Sequence, residues 1–261
     1  MGIIAFLFGL SIGSFINMCA YRLPRNLSLA YPRSRCSRCG FVIPWYDNIP
    51  VLSCIILLAK CRRCKAVFSW SHCVIEFLLG LVALSMFYAE GLSFLSIYYF
   101  GLISVMVLVT MIDLEFKIIP DELSLGGLVI GLSVAGASSL FHFSWLVSFS
   151  ESLVGAIAGG GLLWFVGYAY EKFTGREGMG LGDVKLLAMM GAHVGIENVL
   201  IIVFIASFLG SLIGVGLLLT HRIKSKSPIP FGPFLCFSFL IILFGKETFL
   251  KVCKVCIPFL L

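Results

Sequence analysis

The sequence predicts an all-α polytopic membrane protein of about eight transmembrane helices, with a zinc-ribbon-like loop of four cysteines on the cytoplasmic side. Three observations carry that prediction. Sixty per cent of the 261 residues are apolar and only twelve per cent are charged. The apolar residues fall in runs long enough to cross a bilayer, and four cysteines form two Cys-x-x-Cys pairs inside one basic loop. A chain of this size cannot hide so much apolar surface from water, so lipid must solvate most of it.

Apolar runs lie at roughly 2–21, 73–89, 95–112, 122–141, 152–170, 184–195, 198–219 and 231–244. The runs at 184–195 and 231–244 are short for a core of ~30 Å, which fits tilted, re-entrant or partly buried helices and leaves counts of seven or nine open. Residues 1–21 lack a basic leading segment and an Ala-x-Ala-like cleavage site, so they read as a retained first span and not a removed signal peptide. Small residues recur at helix-packing spacing in Gly9–Gly13 and Gly155–Gly159.

Orientation follows from the cations. The loop 22–72 holds nine Lys and Arg against one acid, Asp47, and the loops near 90–94, 142–151 and 193–197 hold none. The basic loops are therefore placed in the cytoplasm, with 113–121, 171–183 and 220–230 on the same side and both termini periplasmic or external. Lys246, Lys251 and Lys254 oppose this pattern. Because the net charge of +6 sits in these loops, it reads as a topology signal and not as a nucleic-acid surface.

The loop reads Cys36-Ser-Arg-Cys39 and, after a spacer, Cys61-Arg-Arg-Cys64. Two such pairs complete a closed tetrahedral four-thiolate site, whose usual occupant is structural zinc. Arg38, Arg62, Arg63 and Lys65 lie where they can offset the excess thiolate charge. Two redox pairs or four ordinary buried cysteines are the alternatives. Cys19, Cys54, Cys73 and Cys236 read as packing residues, and Cys253/Cys256 as a lone pair able to form a disulfide if the tail is external.

Asp113 closes the third span, and Asp183, after Gly178-Met-Gly180-Leu-Gly182, opens the sixth. Each alone reads as a helix-end residue or cap. Two acids at helix ends on one side of the membrane also suit a dyad that shares a proton, one carboxylate activating water while the other protonates a scissile carbonyl. The glycines before Asp183 allow close approach of a backbone. Helix dipoles predict Asp183 as the base and Asp113 as the proton holder. Asp121 and Glu122 are expected to cap the fourth span, and Glu115 reads as a solvated loop acid. Glu76, inside the second span, calls for a polar partner or a ligand.

These residues carry a family likeness. The stretches Gly13-Ser-Phe-Ile-Asn-Met-Cys-Ala-Tyr-Arg-Leu-Pro24, Pro44-Trp-Tyr-Asp-Asn-Ile-Pro-Val-Leu52, Ile112-Asp-Leu-Glu-Phe-Lys-Ile-Ile-Pro-Asp121, Glu177-Gly-Met-Gly-Leu-Gly-Asp-Val-Lys-Leu186 and Pro228-Ile-Pro-Phe-Gly-Pro-Phe234 span nearly the whole chain. With the cysteine loop, they resemble the type IV prepilin peptidases, the bifunctional leader peptidase/N-methyltransferases. Glu115 stands where an Asp is expected, and the Cys253/Cys256 tail has no counterpart.

The resemblance implies a bacterial inner-membrane aspartic peptidase that removes the basic leader of type IV prepilins or pseudopilins, with Asp113 and Asp183 catalytic and Gly180 and Gly182 supporting them. It implies a second activity, methylation of the new N-terminal amine from S-adenosylmethionine. Residues 1–89, with the loop 22–72, would form the methyltransferase region, and 90–261 the peptidase domain. The residues themselves show no nucleotide-binding fingerprint for the methyl donor, and Glu76 is the candidate for positioning the amine or the sulfonium. Competing readings are a peptidase without methyl transfer, a proton- or cation-coupled transporter, and a zinc-bearing scaffold. Acids at the cytoplasmic edge, away from the midplane, weigh against the transporter, and the long cysteine loop favours both activities.

Overall fold

A computed structural model describes all residues except 32, 142–146, 176–177, 221–228 and 257–261, and all side chains except those and residues 141 and 246–256. The expected Cys253/Cys256 pair therefore lies outside the described side chains. The described residues form α1 (Gly2–Arg22), a short α2 (Leu52–Ile56), α3 (Ser71–Glu90), α4 (Phe94–Phe116), α5 (Asp121–Phe141), α6 (Phe149–Thr174), α7 (Leu181–Val194), α8 (Ile196–Leu219) and α9 (Gly232–Cys256). Each of the eight predicted runs is one of the long helices.

Six of these helices are long and apolar enough to cross a membrane, as expected of a multi-pass membrane protein. Among the described residues the exceptions are α7 and the part of α9 at 232–245, the two runs that are short in the sequence. α7 has 14 residues, or ~21 Å of helix, against a hydrocarbon core of ~30 Å. Its surroundings explain how it survives. α7 packs against α5, α6, α8 and α9, and Leu186, Leu187, Met189 and Met190 are fully buried. Protein, not lipid, solvates this helix, so its length need not match the bilayer.

Local chemistry sets the ends. Ser148 and Glu151 form a reciprocal capping box at the start of α6, and Gly175 closes it in the left-handed conformation. α4 stops because Lys117 adopts φ 56° and its N–H returns to Asp113 O at 2.9 Å. Pro120 then leads into α5, where Asp121 and Glu122 occupy the first turn, and the Asp121 carboxylate, expected to cap the helix, accepts from Lys185.

The chain divides into compact units at 1–111 and 112–261. In the first, α1 runs along α3, and Gly13 permits the contact: a Cβ there would lie 2.6 Å from Glu76 Cα. In the second, α6 meets α7 at Gly155 and Gly191, where a side chain on either would run into the other's backbone. The small-residue spacing read from the sequence thus marks real interhelical contacts.

Candidate active site and metal centre

Asp113 lies one turn inside the C-terminal end of α4 and is 5 % exposed. Asp183 sits in the first turn of α7, whose N-cap is Gly180. The two carboxyl groups, seventy residues apart in sequence, lie close enough for the charge of Asp113 to act directly on Asp183. Asp183 makes no side-chain hydrogen bond to the described residues. Lys185, the cation nearest to it in sequence, is taken by Asp121 at 2.7 and 2.8 Å.

Asp113 has a partner that the sequence reading did not anticipate. The backbone N–H of Gly232, first residue of α9, donates to Asp113 Oδ2 at 3.0 Å. A Cβ on Gly232 would lie 2.6 Å from that oxygen, so glycine is what admits the carboxylate. This corrects the expected dipole asymmetry: Asp113 ends its own helix but faces the positive end of another, so both acids sit at helix N-termini. Ile119 ties the site together, standing against both Gly182 and Gly232; a Cβ on these glycines would meet it at 3.1 and 3.3 Å. At Gly180 the nearest atom to an added Cβ is Asp183 Oδ2, at 3.7 Å, so this position leaves space beside the carboxyl group. Glu115 is exposed on the last turn of α4 rather than in a loop.

The four loop cysteines converge. Cys36 and Cys64 Sγ lie 3.7 Å apart, Cys39 and Cys61 Sγ 4.0 Å, and all four within 4.8 Å of one another. A tetrahedral ion with ~2.3 Å bonds to sulfur needs edges of ~3.8 Å, so the donor set fits a thiolate-bound metal such as zinc.

The two knuckles share one design. Cys36 N donates to Phe41 O and Gly40 N to Cys36 O, as Cys61 N does to Ala66 O and Lys65 N to Cys61 O. Each is closed by one antiparallel bridge, Arg35 with Val42 and Lys60 with Val67. This structural repeat has a sequence signal, Arg35-Cys-x-Arg-Cys-x-x-Val42 against Lys60-Cys-x-Arg-Cys-x-x-Val67. Backbone N–H groups of Cys39 and Arg38 draw the Cys36 thiol down to about 6. Phe41 N–H also acts on Cys39 in that direction, but burial and the neighbouring thiols outweigh it and push Cys39 up to about 11. Of the cations expected to offset thiolate charge, Arg62 is held by Asp47 through two bonds of 2.6 and 2.7 Å, whose hydrogen bonding keeps Asp47 below the usual carboxylate range.

Glu76 is buried on α3 and has the polar partners its position demanded. Its Oε2 accepts Val51 N–H at 2.7 Å, and Asn17 Nδ2 lies 3.5 Å from Oε1. Asn17 in turn bonds His72 through its backbone carbonyl at 3.0 Å and its ring Nδ1 at 3.1 Å. Cys19, Cys73 and Cys236 are buried, whereas Cys54 is only half-buried; Cys54 and Cys73 both line the cavity beside Glu76.

Residues 7–89 match the Bacterial Peptidase A24 N-terminal domain, and residues 100–215 match the Type IV leader peptidase family. The chain is 36 % identical to the prepilin leader peptidase/N-methyltransferase of Aeromonas hydrophila, over 89 % of this chain and 86 % of that protein. It is 32 % identical to the protein of that description from Pseudomonas aeruginosa, covering 92 % and 89 %, and 30 % identical to that of Pseudomonas putida, covering 94 % and 91 %. No solved structure matches.

Proposed function

The chain belongs to the type IV leader peptidase family, and from that premise we propose that it cuts the basic leader from type IV prepilins and pseudopilins with Asp113 and Asp183, then N-methylates the residue exposed. The observation that carries the peptidase half is that these two carboxyls lie within electrostatic reach of each other in one compact unit, with Gly232 N–H on the first.

The geometry supports a division of labour opposite to the one helix ends alone suggest. A carboxylate that accepts a backbone N–H is stabilised in its charged form. Asp113 is therefore the ionised member and Asp183 holds the shared proton. Asp113 takes a proton from water as the oxygen attacks the scissile carbonyl carbon, and Asp183 protonates the carbonyl oxygen. As the tetrahedral adduct collapses, the C–N bond breaks, the leaving amine takes the proton from Asp113, and Asp183 recovers its own from the new acid.

The space at Gly180 suits an extended substrate backbone beside Asp183. The basic loops put this chemistry at the cytoplasmic edge of the inner membrane, with the N-terminus periplasmic. In the N-terminal unit, Cys36, Cys39, Cys61 and Cys64 hold structural zinc, and methyl transfer belongs to that region, residues 1–89.

The test is leader removal from a purified prepilin by wild type, Asp113→Ala and Asp183→Ala. Both variants are expected to lose cleavage by at least ~10³-fold. Full activity in either removes the dyad from the reading.

A further inference from the structure

The first unit holds a cavity of about 970 Å³ between the cysteine loop and the loop-proximal ends of α1 and α3. Its size is that of a small-molecule site, of roughly 300–1,000 Å³. Its cations outnumber its acids. Arg33, Arg35 and Lys60 line it, and its two acids are Asp47, which Arg62 already holds, and Glu76. Glu76 is buried to about nine-tenths and forms no ion pair among the described residues. One of its oxygens is fixed by Val51 N–H at 2.7 Å; the other has only Asn17 Nδ2 at 3.5 Å, too long for a strong bond. A buried carboxylate thus keeps an acceptor site free.

Its mounting is strained. Val51, a β-branched residue, adopts φ 62° and ψ −50°, and Leu52 N–H returns to Pro50 O at 2.6 Å, a three-residue turn of the rare positive-φ kind. Such strain persists where its surroundings over-determine it, commonly at ligand sites.

We propose that this cavity binds S-adenosylmethionine, with Glu76 Oε1 facing the cationic sulfonium and the basic wall facing the amino-acid carboxylate. A purely anionic ligand would meet Glu76 unfavourably, and a purely cationic one would meet the arginines; a ligand carrying both charges satisfies both. The inference rests on the methyltransferase reading above. When bound, the donor supplies a methyl carbon: the neutral N-terminal amine forms the N–C bond as the C–S bond breaks, its electron pair passes to sulfur to leave a thioether, and the ammonium product releases a proton to water.

The test is equilibrium binding of S-adenosylmethionine and S-adenosylhomocysteine to the full-length protein in detergent without added lipid. The second ligand lacks the sulfonium charge and reports an intact cavity. Glu76→Gln should weaken S-adenosylmethionine by about tenfold or more relative to S-adenosylhomocysteine, the effect of losing one charged hydrogen bond. Ser14→Trp, which fills the cavity from α1, should abolish both. An unchanged ratio in Glu76→Gln, or either ligand still bound by folded Ser14→Trp, overturns the site. So does a Glu76→Gln protein that sheds co-purifying phosphatidylethanolamine yet binds S-adenosylmethionine normally, since the cavity is then a lipid site. Labelled methyl transfer to pre-cleaved pilin by the wild type separates the two levels: transfer with an unchanged ratio sinks this site alone, whereas no transfer sinks the methyltransferase reading.

Discussion

The N–H of Gly232 reaches Asp113 Oδ2 at 3.0 Å across 119 positions of sequence. The contact joins the end of α4 to the start of α9 and gives a buried acid a donor that no side chain supplies. A charged hydrogen bond of this kind contributes about 1.5–3 kcal/mol. Gly232→Ala places a methyl carbon 2.6 Å from that oxygen, too close for the carboxylate to stay where it is. Leader cleavage should fall by roughly 10- to 150-fold, read as kcat on a prepilin, with the melting temperature of the protein as the control for folding. A variant that cleaves at the wild-type rate removes Gly232 from the site.

The matched knuckles predict opposite responses at equivalent positions. Gly40 and Lys65 each follow the second cysteine of a pair, at φ 68° and 57°. Gly40 has open space around its Cα, so Gly40→Ala costs only the left-handed conformation, about 1 kcal/mol. Lys65→Gly and Lys65→Ala remove the same charge, but the glycine variant should be more stable by about 1 kcal/mol. Thermal unfolding of the metal-loaded protein measures both. Equal stability of the two Lys65 variants argues against a strained knuckle.

Metal uptake should depend on pH in a direction set by Cys36. With its thiol drawn down to about 6, Cys36 is already a thiolate at neutral pH, and protons compete for it as pH falls through that value. Binding by four cysteines near pH 7.5 should therefore release fewer than four protons per ion, and occupancy at limiting zinc should decline as the solution is acidified toward pH 6. A pH indicator and a colorimetric zinc reagent follow the two quantities. Release of four protons would place Cys36 among ordinary thiols.

Much of this was legible in the sequence because the relevant signals are side-chain signals. Helices α1 and α3–α9 follow from apolar runs, the four-cysteine cluster from its spacing, and the helix-end positions of Asp113 and Asp183 from where those runs stop and start. Gly232 acts through its backbone, which leaves no chemical trace in a sequence; only the neighbouring Pro233, a residue suited to a first helical turn, hinted that a helix N-terminus began there. Val51 at φ 62° runs against the propensity of a β-branched side chain, so no local rule leads to the turn that meets Glu76. A dipole read from the helix of Asp113 alone could not include the N-terminus of α9.

Two glycines of α6 should respond to alanine with opposite sign. Gly161 has nothing within 4 Å of where a Cβ would stand, so Gly161→Ala replaces a residue costly to a helix interior with the least costly one and should stabilise the protein by about 0.5–1 kcal/mol. Gly155, on the same helix, faces the backbone of Gly191 on α7. A methyl group there must push the two helices apart, and overpacking of this kind costs about 1–3 kcal/mol. Because Asp183 rides on α7, the displacement also moves one carboxyl away from the other, so Gly155→Ala should lower leader cleavage as well as thermal stability, while Gly161→Ala leaves cleavage unchanged. Thermal melts and cleavage rates of both variants test the assignment. A Gly155→Ala protein that melts and cleaves like the wild type would mean that α6 and α7 do not approach at this pair of residues.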